Sequence, residues 1–306
     1  MATIFLAGLI NIETTVQVES FPIEYSPVRY PFFGVRSGVS GVGYNLAKAL
    51  TLLGHRVRFA ALIGRDQAGA LVERQLRDDG IPADLVLPRL AATPQSAILY
   101  DRDGRRQINV DLKDIQDQAY PPDEFEHAIA GCDLAVLCNI NFARPLLARA
   151  RARGIPVAAD VHAIADLDDA YNRDFMAAAD ILFMSHERLP AAPEQWVEQL
   201  QARYPAAIIG IGLGADGALL AVRHDRFVGR FPAAAPRPVV STIGAGDALF
   251  GAFLHGYLST GDPYAAIRRA ITYAGYKVGA AGAAEGLLDA AALDALLAEP
   301  QNEHAQ

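Results

Sequence analysis

The residues with the clearest chemical potential lie in Ser241 to Gly256, STIGAGDALFGAFLHG. Three small residues, Gly244, Ala245 and Gly246, come just before Asp247 and a long apolar stretch of helical character. Small residues let the backbone approach a ligand closely, and the first amides of a helix have no intrahelical acceptors, so such an entry is an anion site. An aspartate in its first turn stands beside the bound anion, where it can take a proton from an incoming hydroxyl. That is the geometry of phosphoryl transfer to an alcohol. Taken alone, the same residues also read as a capping aspartate after a tight turn, so other segments have to shift the balance.

Two more glycine-rich segments carry potential chemistry. In Ser37 to Gly69, glycines 38, 41 and 43 lead into a helix through Asn45 that ends at Gly54, followed by a strand ending at Gly64-Arg65-Asp66. A small polar ligand can pack on such a main chain, and Asn45 can both donate and accept hydrogen bonds. The plain alternative is an ordinary glycine-rich βα loop. In Ile209 to Val222, Gly212, Gly214 and Gly217 match G-x-G-x-x-G. A dinucleotide fingerprint needs a helix after the glycines, whereas ALLAV reads as a strand. An NAD-dependent oxidoreductase is therefore set aside in favour of a strand-turn-strand whose glycines are open to a ligand.

Positioning these residues requires a sheet. Strand-like runs at Thr3 to Ile10, Arg56 to Ile63, Asp133 to Cys138, Pro156 to Asp160, Asp180 to Met184 and Ala206 to Ile211 alternate with helical stretches. The helices include Val42 to Leu53, Gln67 to Asp79, Ala143 to Ala152 and Pro193 to Arg203. This alternation predicts a mainly parallel sheet covered on both faces. Two segments break it. Thr14 to Ser37 is rich in aromatics and proline, and Ser96 to Asp111 has a hairpin shape around Asp103-Gly104. Both read as antiparallel strands outside the main sheet, forming a lid of about 40 residues over the strands' carboxyl ends. From Ala245 onward the pattern is almost wholly helical, with Leu287 to Ala298 as a closing helix and the final QNEHAQ frayed.

Composition removes several function classes. The chain has 306 residues, with 27 Lys plus Arg against 35 Asp plus Glu and a net charge of −8. That length allows two domains or one large α/β domain with an insertion, and the lid reading selects a single domain over residues 1–300. An acidic balance without a basic run gives no footprint for nucleic acid. The longest apolar stretch, Ala206 to Ala215, is about half of what crosses a bilayer, so no membrane partner is expected. The N-terminus lacks the basic region of a secretory signal, and Cys132 and Cys138 sit in an apolar run, which excludes a disulfide scaffold or zinc site and fits a reducing cytoplasm.

Taken together, these motifs resemble the PfkB carbohydrate kinase family, with its ribokinase-like fold. Ser241-Thr242-Ile243-Gly244-Ala245-Gly246-Asp247 resembles the family's D-T-x-G-A-G-D signature, with Ser241 where aspartate is most frequent. Gly41 to Ala47, with Gly54 and Gly64 at the expected spacing, resembles the first signature, although Ser40 replaces its opening glycine. Gly8 to Glu13, GLINIE, resembles the first-strand motif G-x-x-N-x-D, with Glu13 in place of aspartate, and Gly212, Gly214 and Gly217 resemble the nucleotide-binding turn.

The resemblance implies a three-layer α/β/α core with a β-sheet lid, and ATP-dependent transfer of a phosphoryl group to a hydroxymethyl of a sugar or nucleoside. Asp247 then corresponds to the base and the amides of Gly244 to Asp247 to the anion hole. Asn11, Glu13, Gly41 and Asn45 would hold the acceptor; Gly212, Gly214, Gly217 and Thr242 would serve the nucleotide. A base with the ordinary aspartate pKa, about 4, suffices when the hydroxyl proton leaves late. The family's N-x-x-E is missing: Ser185-His186-Glu187-Arg188 stands there. Either Glu187 serves Mg²⁺ from a shifted position, or waters and ATP phosphates hold the metal. Lys277 borders a region that the resemblance links to adenine and a monovalent-cation loop, and it reads as a solvated lysine without a role. Arg29, Arg36, Arg105 and Arg106 read mostly as edge-strand charges. Phe32, Phe33 and Tyr44 are available to stack on a nucleoside base. A nucleoside acceptor, a catalytically weak sensor of nucleotide or sugar, and a homodimer through the lid all remain open.

Overall fold

A computed structural model of the chain describes residues 1–102 and 105–298. Its elements in chain order are β1 (Thr3–Ala7), β2 (Asn11–Gln17), β3 (Val35–Ser40), α1 (Val42–Leu52), β4 (Arg56–Gly64), α2 (Gln67–Asp78), β5 (Val86–Leu90), β6 (Gln95–Tyr100) and β7 (Arg106–Asp111). Next come α3 (Pro122–Ile129), β8 (Leu134–Leu137), α4 (Arg144–Ala152), β9 (Val157–Asp160), α5 (Arg173–Ala178), β10 (Ile181–Ser185), α6 (Pro193–Arg203) and β11 (Ile208–Gly212). β12 (Ala218–Val222), β13 (Phe227–Phe231), α7 (Ala245–Thr260), α8 (Pro263–Lys277) and α9 (Ala290–Ala298) complete the described chain.

Nine strands form one sheet in the order β13-β12-β11-β10-β9-β8-β1-β4-β5, parallel from β5 to β11 and closed by an antiparallel hairpin. Successive side chains on a strand point to opposite faces, so the central strands feed two cores. On β1, Ile4 and Leu6 pack with α1, α7 and α8, whereas Phe5 and Ala7 pack with α3 to α6. A strand buried on both faces has no polar alternation, which is why these runs are continuously apolar. The result is the expected three-layer α/β/α core.

A second sheet of four strands, in the order β3-β2-β6-β7, is the lid. Each of its outer pairs is antiparallel, but the two join through a parallel β2–β6 pair running from Ile12 opposite Gln95 to Gln17 opposite Tyr100. The expectation of wholly antiparallel pairing is corrected here. The reason is topological: β2 continues from β1 and β6 follows β5, and β1 and β5 run the same way. Of Thr14 to Ser37, only the two ends are strand, and the connecting residues hold the exposed Tyr25, Tyr30, Phe32 and Phe33. The Asp103-Gly104 turn and the final QNEHAQ lie outside the described residues.

Candidate active site

Asp247 sits in the first turn of α7, whose N-cap is Gly244 with φ 77°. A Cβ at Gly244 would approach the Ala283 carbonyl oxygen to 2.6 Å, so both the backbone conformation and the space require glycine. The Ala245 amide donates to the Thr242 carbonyl at 3.2 Å, while the amides of Gly244, Gly246 and Asp247 have no acceptor among the described residues. Of the four amides that sequence reading assigned to an anion, three are thus available. Together with the positive end of the helix dipole they form a ready site for a phosphoryl group.

One donor orients the carboxylate: Asn45 Nδ2 on α1 donates to Asp247 Oδ2 at 2.7 Å. Gly41, which caps α1, directly follows Ser40 at the end of β3 and so brings Asn45 next to the lid. Ser40 Oγ donates to Glu13 Oε2 at 3.1 Å, with Asn45 Oδ1 3.5 Å away. Asn11 Nδ2 donates to Ser96 Oγ at 3.1 Å, and its buried Oδ1 has no partner among the described residues. A buried amide oxygen left without a donor is costly unless something supplies one, and an acceptor hydroxyl would. Asn11, Glu13, Gly41 and Asn45 therefore converge on the neighbourhood of Asp247.

Electrostatics departs from the sequence expectation. Burial pushes the Asp247 carboxyl above the ordinary aspartate value, and the negative charge of Asp160 adds to it. The Asn45 hydrogen bond, then His162 and Lys277, oppose that shift. Glu13 is likewise raised, first by burial and then by Asp247, against the Ser40 hydrogen bond and Lys277. Asp160 and His162 were absent from the sequence candidates. Asp160 ends β9, its Oδ1 accepts the His162 amide at 2.7 Å, and His162 adopts φ 57°. No motif marks them. Their only signal is position at the carboxyl end of an inner strand, where open α/β sheets place ligands.

Lys277 is not solvated. It is 0% exposed, and its Nζ donates to the Ile243 carbonyl next to Gly244. Burial pushes its pKa down to about 8, against the charges of Asp247, Glu13 and Glu285. The resemblance links this region to a monovalent cation, but the lysine ammonium already engages the Ile243 oxygen. The residues present do not fit a separate ion there.

At the turn that the sequence assigns to the nucleotide, β11 passes into antiparallel β12 through Gly212 to Gly217, so no α-helix follows the glycines and the dinucleotide reading is excluded. Gly217 has φ 95°, and a Cβ there would run into the Phe231 carbonyl, so β13 packing requires this glycine. His186 Nδ1 donates to the Gly212 carbonyl at 2.9 Å. Beside it, Glu187 Oε1 accepts from Arg106 Nη2 at 3.2 Å, and Arg106 Nη1 donates to Thr242 Oγ1 at 2.6 Å. Arg106 is therefore no idle edge charge: it ties the lid to the core. Arg29 and Arg105 have carboxylate partners, Glu19 and Asp101. A cavity of about 530 Å³ opens between Arg105, Arg106 and Ile108 on one side and Glu187 and Thr242 on the other. Among the described residues, no group of three or more His, Cys, Asp or Glu side chains could hold a metal ion. With Glu187 committed to Arg106, this donor set does not fit a protein-built Mg²⁺ cage.

A parallel α/β sheet with a carboxylate at a helix entry, roofed by a small second sheet, defines the class of ribokinase-like kinases. The chain belongs to the pfkB family of carbohydrate kinases, whose model matches residues 1–290. It is 29% identical to an ATP-dependent ribose-1-phosphate kinase of Halopiger xanaduensis, over 97% of this chain and 98% of that protein. It is 28% identical to acarbose 7(IV)-phosphotransferase of an Actinoplanes species, over 95% and 96% respectively. Among solved structures, a microbiome-derived acarbose kinase shares 27% identity at a TM-score of 0.87, covering 97% of this chain and 99% of that one. Arabidopsis thaliana ribokinase, 19% identical over 98% of this chain and 99% of that one, shares the fold at a TM-score of 0.80. The protein is a carbohydrate kinase.

Proposed function

We propose that the protein transfers the γ-phosphoryl group of ATP to a hydroxymethyl of a sugar, with Asp247 as the base. The observation that carries this reading is Asp247 itself, held by Asn45 at 2.7 Å beside the amides of Gly244, Gly246 and Asp247, which have no acceptor among the described residues. An acceptor hydroxyl standing between them loses its proton to Asp247 as its oxygen attacks the γ-phosphorus. The bond from that phosphorus to the bridging oxygen breaks, and ADP leaves. The transition state is loose, with charge spread over three equatorial oxygens, so oriented amides and a positioned base suffice. Asn11 and Glu13 hold the acceptor's other hydroxyls from the lid, and the Gly212 to Gly217 turn and Thr242 border the nucleotide.

A sugar is favoured over a nucleoside because the aromatic side chains are poorly disposed for stacking. Tyr44 is buried with its hydroxyl bound to Asp79, and Phe32 and Phe33 are 84% and 95% exposed on the connection between β2 and β3. Similarity to kinases named for ribose 1-phosphate and acarbose supports the same choice. A weak sensor is disfavoured because a carboxylate and free amides stand together at the α7 entry, which supports a catalytic reading.

The test is ADP release from ATP and Mg²⁺ against ribose, ribose 1-phosphate, acarbose, 2-dehydro-3-deoxygluconate and inosine. Turnover of a sugar well above inosine supports the proposal. Preference for inosine, or binding with no turnover of any acceptor, overturns it.

A further inference from the structure

We infer that the Lys277 ammonium is a tethered cation that orients the anion-binding turn, so that this kinase works without a monovalent cation. The inference rests on the proposed role of the Gly244 to Asp247 amides, and it starts from one peptide group. A trans peptide is planar, with its carbonyl and its N–H pointing to opposite sides. The Ile243 carbonyl and the Gly244 N–H belong to the same peptide. Lys277 Nζ takes the carbonyl from the buried side. The Gly244 N–H is thereby turned the other way, and it is one of the amides left without an acceptor.

Several features make this more than a buried lysine finding a partner. Lys277 is the last residue of α8, and the following Val278 carbonyl accepts the Val240 and Ser241 amides at 2.8 and 2.9 Å. The end of α8 therefore clamps the start of the turn through the main chain and its middle through the ammonium. The Ala283 backbone closes the other side against Gly244. Charges facing the ammonium are Asp247, Glu13 and Glu285, with Arg237 of like sign. An ammonium in contact with an amide carbonyl, with the charges of Asp247, Glu13 and Glu285 acting on it, supplies what a bound ion would supply, and it cannot diffuse away. Position 241, where the family signature most often has aspartate, is a neutral serine whose hydroxyl accepts the Ile243 amide at 3.3 Å.

The experiment compares wild type, Lys277→Met and Lys277→Arg in chlorides of potassium, ammonium, sodium and tetramethylammonium at equal ionic strength. It measures kcat, KM and the melting temperature in each salt. Wild type is expected to give the same kcat in all four salts within about twofold, because Coulomb screening is matched at equal ionic strength. Lys277→Met is expected to lose at least tenfold in kcat in tetramethylammonium, on the order of one oriented donor. Potassium or ammonium, small enough to enter the vacated space, should recover part of that loss. The same ions should raise its melting temperature, and they should leave that of wild type unchanged. Lys277→Arg, which keeps the charge, should show no such cation dependence.

A wild-type kcat raised tenfold by potassium overturns the inference. So does a folded Lys277→Met chain that no small cation rescues or stabilises, because the lysine would then act by packing alone. If Lys277→Met does not fold, the salt series on wild type and Lys277→Arg decides. Should no acceptor be turned over at all, the melting temperatures still test the cation site while the kinase reading fails separately.

Discussion

Replacing Asp247 by Asn removes the proposed base and one negative charge with little change in shape. The Asn45 Nδ2 donor at 2.7 Å can still meet an amide oxygen at position 247, and the unpartnered amides of the α7 entry are untouched. The ground-state complex therefore survives, and the loss falls on proton transfer. A positioned base contributes typically 10² to 10⁴ in rate, so kcat should drop by about that factor, or roughly 3 to 5 kcal/mol at 1.36 kcal/mol per decade. KM should change far less than kcat, since the interaction removed is one made in the transition state. The assay is ADP release across pH. Wild-type activity rises with pH as Asp247 ionises, and because burial raises its pKa, that acid limb lies above the ordinary aspartate range. In the Asn variant this limb disappears. Stability moves the opposite way. A carboxyl whose pKa is higher folded than unfolded weakens the fold once it is ionised, so the Asn variant should melt at or above the wild-type temperature at pH 7. Lower activity combined with undiminished stability separates loss of the base from misfolding. Turnover equal to wild type, or an unchanged acid limb, would refute the assignment of Asp247.

Two other sites give independent checks. Arg106→Ala cuts the links from the lid to Glu187 and Thr242; exposed ion pairs are worth about 0.2–1 kcal/mol, so stability should hardly change while KM for the substrates rises several-fold, measured by steady-state kinetics. His55, only 7% exposed, shares a hydrogen bond with His255, and burial, then the neighbouring histidine, pushes its pKa down to about 4. Its unfolded pKa is about 6.5, so the unfolded chain binds more protons between these values, and stability falls as pH drops from about 6.5 toward 4. The contribution is on the order of 2–3 kcal/mol across that window. Urea unfolding of His55→Gln at pH 7 and pH 5 should show a smaller acid loss than wild type, and an equal loss would place the sensitivity elsewhere.

The parts of the site that could be read from sequence are those built by one continuous segment. The α7 entry is such a segment: its glycines, aspartate and apolar run are local, and local spacing determines a helix N-terminus. The inner strands were legible because burial on both faces leaves an unmistakable apolar run. β5 was missed because VLPRL contains Pro88, which argues against a central strand, whereas β5 is the sheet edge where proline is tolerated. Lys277 was misread for a different reason. It stands at the end of an amphipathic helix, and nothing local says that residues from Val278 to Gly286 and the α7 entry will close over it. Arg106 and Asp160 depend in the same way on partners distant in the chain. Their types and neighbours look ordinary, and only the meeting of the two sheets gives them meaning.

That meeting has a kinetic consequence. Asn11 and Glu13 lie on β2 of the small sheet, whereas Asn45 and Asp247 lie on α1 and α7, which pack against the large one, so on the proposed reading the acceptor touches groups carried by both layers. Water is too short. On the proposed reading, a lone water beside Asp247 lacks the second set of contacts that holds a sugar hydroxyl in line, so hydrolysis of ATP without acceptor is expected to be slow for want of reach.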